Sequence, residues 1–453
     1  MNVLSALRNA MQVPELRRKL LITVGLICAD RLLASITIPA VNTAALRDLF
    51  QSNGLLGLLN LFSGSGFSTG GGGFGFSGIS IVALGLNPYI NATIIMQLMT
   101  VISTRVKELS KEGEQGRKRL TQYARYLTVV LALLQSFGFV RLFQSYTFQG
   151  QSILSPTLSW PQVVGIIITL TAGTVIIMWF GELITEYGIG NGVSIIIMIG
   201  ILGQVPGTVL GLGHNSSQIF TLFMFAVIGI LVSAGIIFVQ QATRKIPIQS
   251  AQRVMGRNVY QGRSSFLPLR VNQAGVIPII FAVSIMFFPT LFGNFFSPAA
   301  GQSGGVLGAI AVWIHNNWNP FGPTLSVDIL YEVAYFGLVM AFTFFYTAVT
   351  FDPEDTADNL RKNAVFIPGI RPGAQTADYL SRVMGRITLA GAIFLGVITV
   401  VLPVVTALAT GQQPSTGLYL GGTAVLIVVG VSLDTMKQLE TQLLMRQYRG
   451  FIR

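Results

Sequence analysis

The chain has 453 residues, of which 51% are apolar and only 10% charged, and 29 Lys and Arg against 17 Asp and Glu give it a net charge of +12. A soluble domain carries roughly a quarter charged residues, which excludes a water-facing surface over most of a molecule this size. A basic excess in a soluble protein points to nucleic acid; in a membrane protein it marks cytoplasmic loops, and position along the chain separates the two readings.

A bilayer-crossing helix needs about 20 mostly apolar residues, and lipid offers no partner to an open strand edge. On that template the chain reads as ten helices, over 20–39, 77–102, 125–143, 161–183, 193–213, 219–240, 274–292, 329–350, 386–408 and 417–436. The amphipathic stretch 1–16 lacks a short apolar core with a cleavage site, so no cleavable signal peptide is expected. The single cysteine, Cys28, has no internal disulfide partner and reads as a small buried hydrophobe in the first span.

Four Lys or Arg precede the first span, six follow the second, six the sixth, four the eighth and four the tenth. These twenty-four share one side, whereas the opposite loops hold only Arg47; Arg31, Arg125, Arg141 and Arg386 lie in or at the ends of spans. The asymmetry places both termini in the cytoplasm and requires an even number of crossings.

The outer loops are rich in Gly and Ser. Within one of them Leu55, Leu56, Leu58, Leu59, Asn60, Leu61 and Phe62 form an apolar stretch. Eight helical residues reach only about 12 Å, too short to span, so a re-entrant helix is expected there, enclosed by protein or a water-filled cavity. A faint repeat also shows: Gly85-Leu86-Asn87-Pro88-Tyr89-Ile90 and Gly275-Val276-Ile277-Pro278-Ile279-Ile280 both read G-x-x-P-x-I, five spans apart. Five spans per half would invert the second half relative to the first, a known route to a central pathway.

Catalytic signatures fail on context. Gly66-Phe67-Ser68-Thr69-Gly70 spells G-x-S-x-G, yet it sits in a glycine-rich loop, and the only histidines are His214 and His315. Gly70, Gly72 and Gly75 spell G-x-G-x-x-G without a βαβ unit. Two histidines and one cysteine do not make a zinc site, and no P-loop or H-E-x-x-H occurs, so neither cofactor nor metal is expected. Asp30 and Arg31 are the main charges inside a span, with Glu182 and Asp434 near span ends; neighbours on a helix point about 100° apart, so separate partners are expected for the first two.

Four loop segments then carry a resemblance. Lys111-Glu112-Gly113-Glu114-Gln115-Gly116-Arg117-Lys118 precedes the third span, and Glu186-Tyr187-Gly188-Ile189-Gly190-Asn191-Gly192 joins the fourth to the fifth. Asn272-Gln273-Ala274-Gly275-Val276-Ile277-Pro278 opens the seventh, and Phe366-Ile367-Pro368-Gly369-Ile370-Arg371-Pro372-Gly373 lies before the ninth. Together, from about Pro14 to Tyr448, the chain resembles the SecY family, channel subunits of the bacterial Sec translocon.

The resemblance implies an all-α membrane protein with ten transmembrane helices in two inverted halves, a clamshell closed by a short re-entrant plug helix. The layout would be a cytoplasmic amphipathic N-terminus over 1–19, one half over 20–216 with the plug near 55–65, and a second half over 217–436. Cytoplasmic loops would cover 241–273 and 351–385, and a tail 437–453. Leu86, Ile90, Val193, Ile197, Ile280 and Ile427 would form an apolar constriction, gating by dewetting and stretching around a passing chain. Asn91, Gln135 and Asn272 would be a polar set at a lateral gate between the second and seventh spans. Arg253, Arg257, Arg361, Lys362 and Arg371 would dock the ribosome and the SecA motor, although Arg257-Asn258 stands where the family often has a basic pair. SecE and SecG are the implied membrane partners, and signal sequences, nascent chains and the lipid of the bacterial cytoplasmic membrane the other contacts. The implied activity is translocation of unfolded polypeptides, with lateral release of transmembrane segments and no catalysis. The rival readings are a secondary transporter, which calls for a midplane ligand site, and an intramembrane protease, which calls for a nucleophile-base or metal constellation in the spans.

Overall fold

Each of the ten apolar stretches contains a helix, the one conformation that satisfies its own backbone polar groups in lipid. A computed structural model describes residues 13–38, 41–42, 46, 67–68, 78–145, 147–148, 151–154, 159–212, 216–250, 253–255, 258–260, 264–286, 289, 309–310, 313–314, 329–410 and 422–450. The spans are α1 (Pro14–Ser35), α2 (Asn87–Ile102), α4 (Glu114–Ser145), α5 (Trp160–Tyr187) and α6 (Gly192–Leu212) in the first half. In the second half they are α7 (Ser216–Gln241), α8 (Ile277–Met286), α9 (Ile329–Thr350), α11 (Ala374–Thr410) and α12 (Gly422–Gly450). Two short amphipathic helices lie between spans, α3 (Thr104–Lys111) and α10 (Pro353–Lys362). Among the described residues, five helices are long and apolar enough on their own to cross a bilayer.

Several boundaries differ from the sequence reading. The second span does not begin at 77: Gly78–Ile79 is strand β2, paired with β1 (Phe67–Ser68), and helix starts only at Asn87. Gly85 at φ +56° turns the chain, and Pro88, fixed near helical φ without an N–H to place, opens the helix. Helix α4 runs 32 residues and α11 runs 37, each longer than the hydrocarbon core requires, so both project beyond it. Cys28 is exposed on the outer face of α1 and is not a core residue. Asp30 and Arg31 pair with one another: Arg31 Nη2 reaches Asp30 Oδ2 at 2.9 Å and Nε reaches it at 3.2 Å, because the long arginine folds back along the helix.

The spans are all helical, but the basic loop after α7 is built of strands that hydropathy did not show. Strand β5 (Thr243–Ser250) pairs antiparallel with β8 (Ser264–Arg270), from Thr243↔Arg270 to Gln249↔Ser264. A separate two-stranded hairpin pairs β6 (Arg253–Met255) with β7 (Asn258–Tyr260), and another pair, β3 (Thr147–Phe148) and β4 (Gln151–Ser152), follows α4.

The weak sequence repeat is a structural one. Gly275 is also left-handed, at φ +65°, and Pro278 again stands second in its helix. Four residues before Gly85 the N–H of Ile81 donates to the carbonyl of Ile36, the residue after α1, at 3.0 Å. Four residues before Gly275 the N–H of Val271 donates to the carbonyl of Ala242, the residue after α7, also at 3.0 Å. Next to these bonds, Thr37 bridges Ser80 as Thr243 pairs with Arg270. Each half therefore ties the lead-in of its second span to the exit of its first. The largest apolar core fills the space between the halves, drawing on α2, α5, α6, α7, α8, α9, α11 and α12.

Candidate functional site

Six aliphatics from the two halves converge in that core. Leu86 caps α2 and Ile90 lies in its first turn; Val193 and Ile197 are one turn apart on α6; Ile280 is in the first turn of α8 and Ile427 in the first turns of α12. Leu86, Ile90, Ile197, Ile280 and Ile427 are buried in one cluster, Ile427 completely, and Val193 packs against it. The repeat explains part of the convergence, since Ile90 and Ile280 occupy the same place in their halves, as do Leu86 and Val276. Around the cluster, Ser432 Oγ on α12 donates to Met198 Sδ on α6 at 3.4 Å, and Phe281 stacks edge-on to Phe342 at 5.9 Å. Among the described residues no group of His, Cys, Asp or Glu could hold a metal ion. What remains is a packed apolar cluster.

Asn91 on α2, Gln135 on α4 and Asn272 before α8 are all buried. Among the described residues no hydrogen bond joins them to one another. Asn272 Nδ2 instead donates to the carbonyl of Gly275 at 3.0 Å, closing the turn that opens α8. Asn91 Oδ1 and Asn272 Oδ1 are buried without a described hydrogen-bond partner, and so are Gln97 Oε1, Gln240 Nε2 and Gln273 Oε1. Of these, Gln97 was missed by sequence reasoning, and an amide inside an apolar run is the signal that singles it out. Gln240 lies over Gly430 on α12, which leaves room for it and for Val276. A second missed feature is the ion pair between α4 and α5, where Arg125 Nε meets Glu182 Oε1 at 2.7 Å.

The expected docking residues fall in two loops that the fold joins. Strand β9 (Val365–Phe366) adds to β5 through Gln249↔Phe366 and Ser250↔Val365. Ile246 and Leu269 of the hairpin share a core with Ile367, Leu380, Val383 and Met384. Asp352 caps α10 by accepting the N–H groups of Glu354 and Asp355 at 3.0 and 3.3 Å, and Arg361 and Lys362 sit exposed in its last turn, where they complement the helix dipole. Arg371 is exposed, and its carbonyl accepts from Thr376 Oγ1 at 2.9 Å. Arg253 lies in β6, whereas Arg257 and the apolar stretch Leu55, Leu56, Leu58, Leu59, Asn60 and Phe62 lie outside the described residues.

A family model for SecY matches residues 80–436. The protein translocase subunit SecY of Streptomyces scabiei is 41% identical over the full length of both chains, and that of Mycobacterium tuberculosis 40% identical over the same extent. The chain belongs to the SecY family. This SecY-family chain also shares its fold with solved channels at 18% identity. A protein-conducting channel aligns with a TM-score of 0.62 over 96% of each chain, and Sec61 from a canine ribosome-channel complex with 0.58 over the same shares. A SecY channel examined for its plug domain gives 0.61. The ten-span clamshell is the architecture they have in common.

Proposed function

We propose that this SecY-family chain is a protein-conducting channel that passes unfolded polypeptides across a membrane and releases apolar segments sideways into lipid. The observation that carries the reading is the apolar cluster in which aliphatics of both halves meet. Such a girdle seals against ions because a narrow apolar constriction dewets, and it opens around any side chain because no fixed hydrogen bonds need matching. Leu86, Ile90, Val193, Ile197, Ile280 and Ile427 are its constriction, and α2 and α8 the two edges of the lateral gate. Asn91, Gln135 and Asn272 soften that gate, since interhelical amide contacts in lipid are worth only about 0.6–2 kcal/mol.

The joined cytoplasmic loops form one basic platform for a ribosome or an ATP-driven SecA motor, with Arg253, Arg257, Arg361, Lys362 and Arg371 as contacts. SecE and SecG are its membrane partners, the bacterial cytoplasmic membrane its location, and both termini face the cytoplasm. The chain itself performs no catalysis. Depleting it should leave signal-bearing precursors uncleaved inside the cell; normal export after depletion would defeat the reading.

A further inference from the structure

Two glycines in the interiors of long helices have a placement that the apolar girdle does not explain. Gly173 in α5 and Gly391 in α11 are buried, and α5 and α11 are the fourth spans of their respective halves. A Cβ on Gly173 would overlap the carbonyl oxygen of Ile81 and come within 3.3 Å of the Cα of Val82. A Cβ on Gly391 would come within 2.7 Å of the carbonyl oxygen of Val271 and 3.8 Å of the Cα of Asn272. Ile81 and Val271 are the same position of the two halves, the residue whose N–H is bound to the exit of the first span and which stands four before the left-handed glycine.

One residue in each lead-in is therefore held on both sides, its N–H by a hydrogen bond and its carbonyl by a glycine surface that lets backbone approach backbone. Only glycine permits that approach, and Cα–H to carbonyl contacts recur in such geometry. Further bonds stiffen both lead-ins: Ser80 Oγ donates to Leu33 O at 3.3 Å and accepts from Val82 N–H at 3.2 Å, and Asn272 Nδ2 closes its turn onto Gly275. Two other glycines on the same helices differ, Gly165 of α5 and Gly385 of α11, which have nothing within 4 Å of a Cβ.

We propose that Gly173 and Gly391 are a symmetry-related pair of bearing positions that pin the lead-ins of α2 and α8. Each gate helix then swings from a fixed root, and the closed position is set at that root rather than along the gate seam. A side chain at either bearing displaces the lead-in and biases the gate toward open. The proposal rests on the channel reading, with α2 and α8 as gate edges.

The test compares Gly173→Ala and Gly391→Ala with Gly165→Ala and Gly385→Ala in membrane vesicles containing the complete translocase. Each is given one precursor with an intact signal sequence and one with a defective signal. The bearing variants should translocate the defective precursor about tenfold more than wild type, as expected when a closed state loses a modest bias. They should handle the intact precursor at the wild-type rate, with both control variants unchanged. Bearing variants present at wild-type abundance that still reject the defective precursor would overturn the proposal, as would equal gains in the controls. If wild type fails on the intact precursor, it is the channel reading that falls. Should the alanine variants not accumulate, amide exchange on wild type decides: Ile81 and Val271 should stay protected when a synthetic signal peptide binds, and loss of protection at both would overturn the idea.

Discussion

Ile427 is fully buried in the apolar cluster, so a polar group there should bring water into it. Ile427→Asn is expected to raise the resting ion conductance of the channel in planar bilayers severalfold, and conductance equal to wild type would count against the constriction. The Arg125–Glu182 pair bears a different load. Arg125 is 48% exposed, so screening leaves the pair worth less than about 1 kcal/mol, and Arg125→Gln should scarcely move the thermal midpoint. At this scale the sequence was least informative. An aliphatic that lines a pore has the same composition signature as one that faces lipid, so the six constriction residues came only from family resemblance. For Asp30 and Arg31, a rule about Cβ directions left out the reach of an arginine, which pairs with its neighbour.

Among elements, the left-handed glycines make a sharp contrast with ordinary helical ones. Gly275 has open space around its Cβ yet sits at φ +65°, where an L-residue is strained by about 1–2 kcal/mol. Gly138 also has open space, but lies inside α4 at helical angles, where alanine is preferred by about 0.5–1 kcal/mol. Gly275→Ala should therefore lower the thermal midpoint in detergent and Gly138→Ala raise it, with identical shifts contradicting the backbone argument. Asp352→Ala removes the cap of α10 and should cost that helix about 1 kcal/mol, seen as faster amide exchange over its first turn. Span positions were legible because lipid imposes a single length and polarity on each. The β5–β8 hairpin was not, since Thr243–Ser250 mixes charge, a proline and isolated aliphatics, and its strand character depends on pairing with distant residues. The extensions of α4 and α11 escaped for a related reason: beyond the hydrocarbon a helix needs no apolar run, only a partner surface.

For the whole molecule, the inverted halves account for more than the girdle. The same backbone junction occurs in each half, and the chain between its first and second spans carries the apolar stretch 55–62 in one half and the basic strands β5–β8 in the other. The hairpin also shares a core with the loop before α11. Leu380→Asp should break that core and abolish binding of ribosomes to purified vesicles while leaving the spans inserted; unchanged binding would show that the loops act separately.

The central claim, that a translocating chain passes through the aliphatic girdle, is tested most directly by disulfide mapping. With Cys28→Ser as background, single cysteines are placed at Ile90, Ile280 and Ile427, and at Ile230 and Phe238, which face outward on α7. A precursor arrested in transit and carrying one cysteine should crosslink to the three girdle positions and not to the two outer ones. Crosslinks confined to Ile230 and Phe238 would contradict the account.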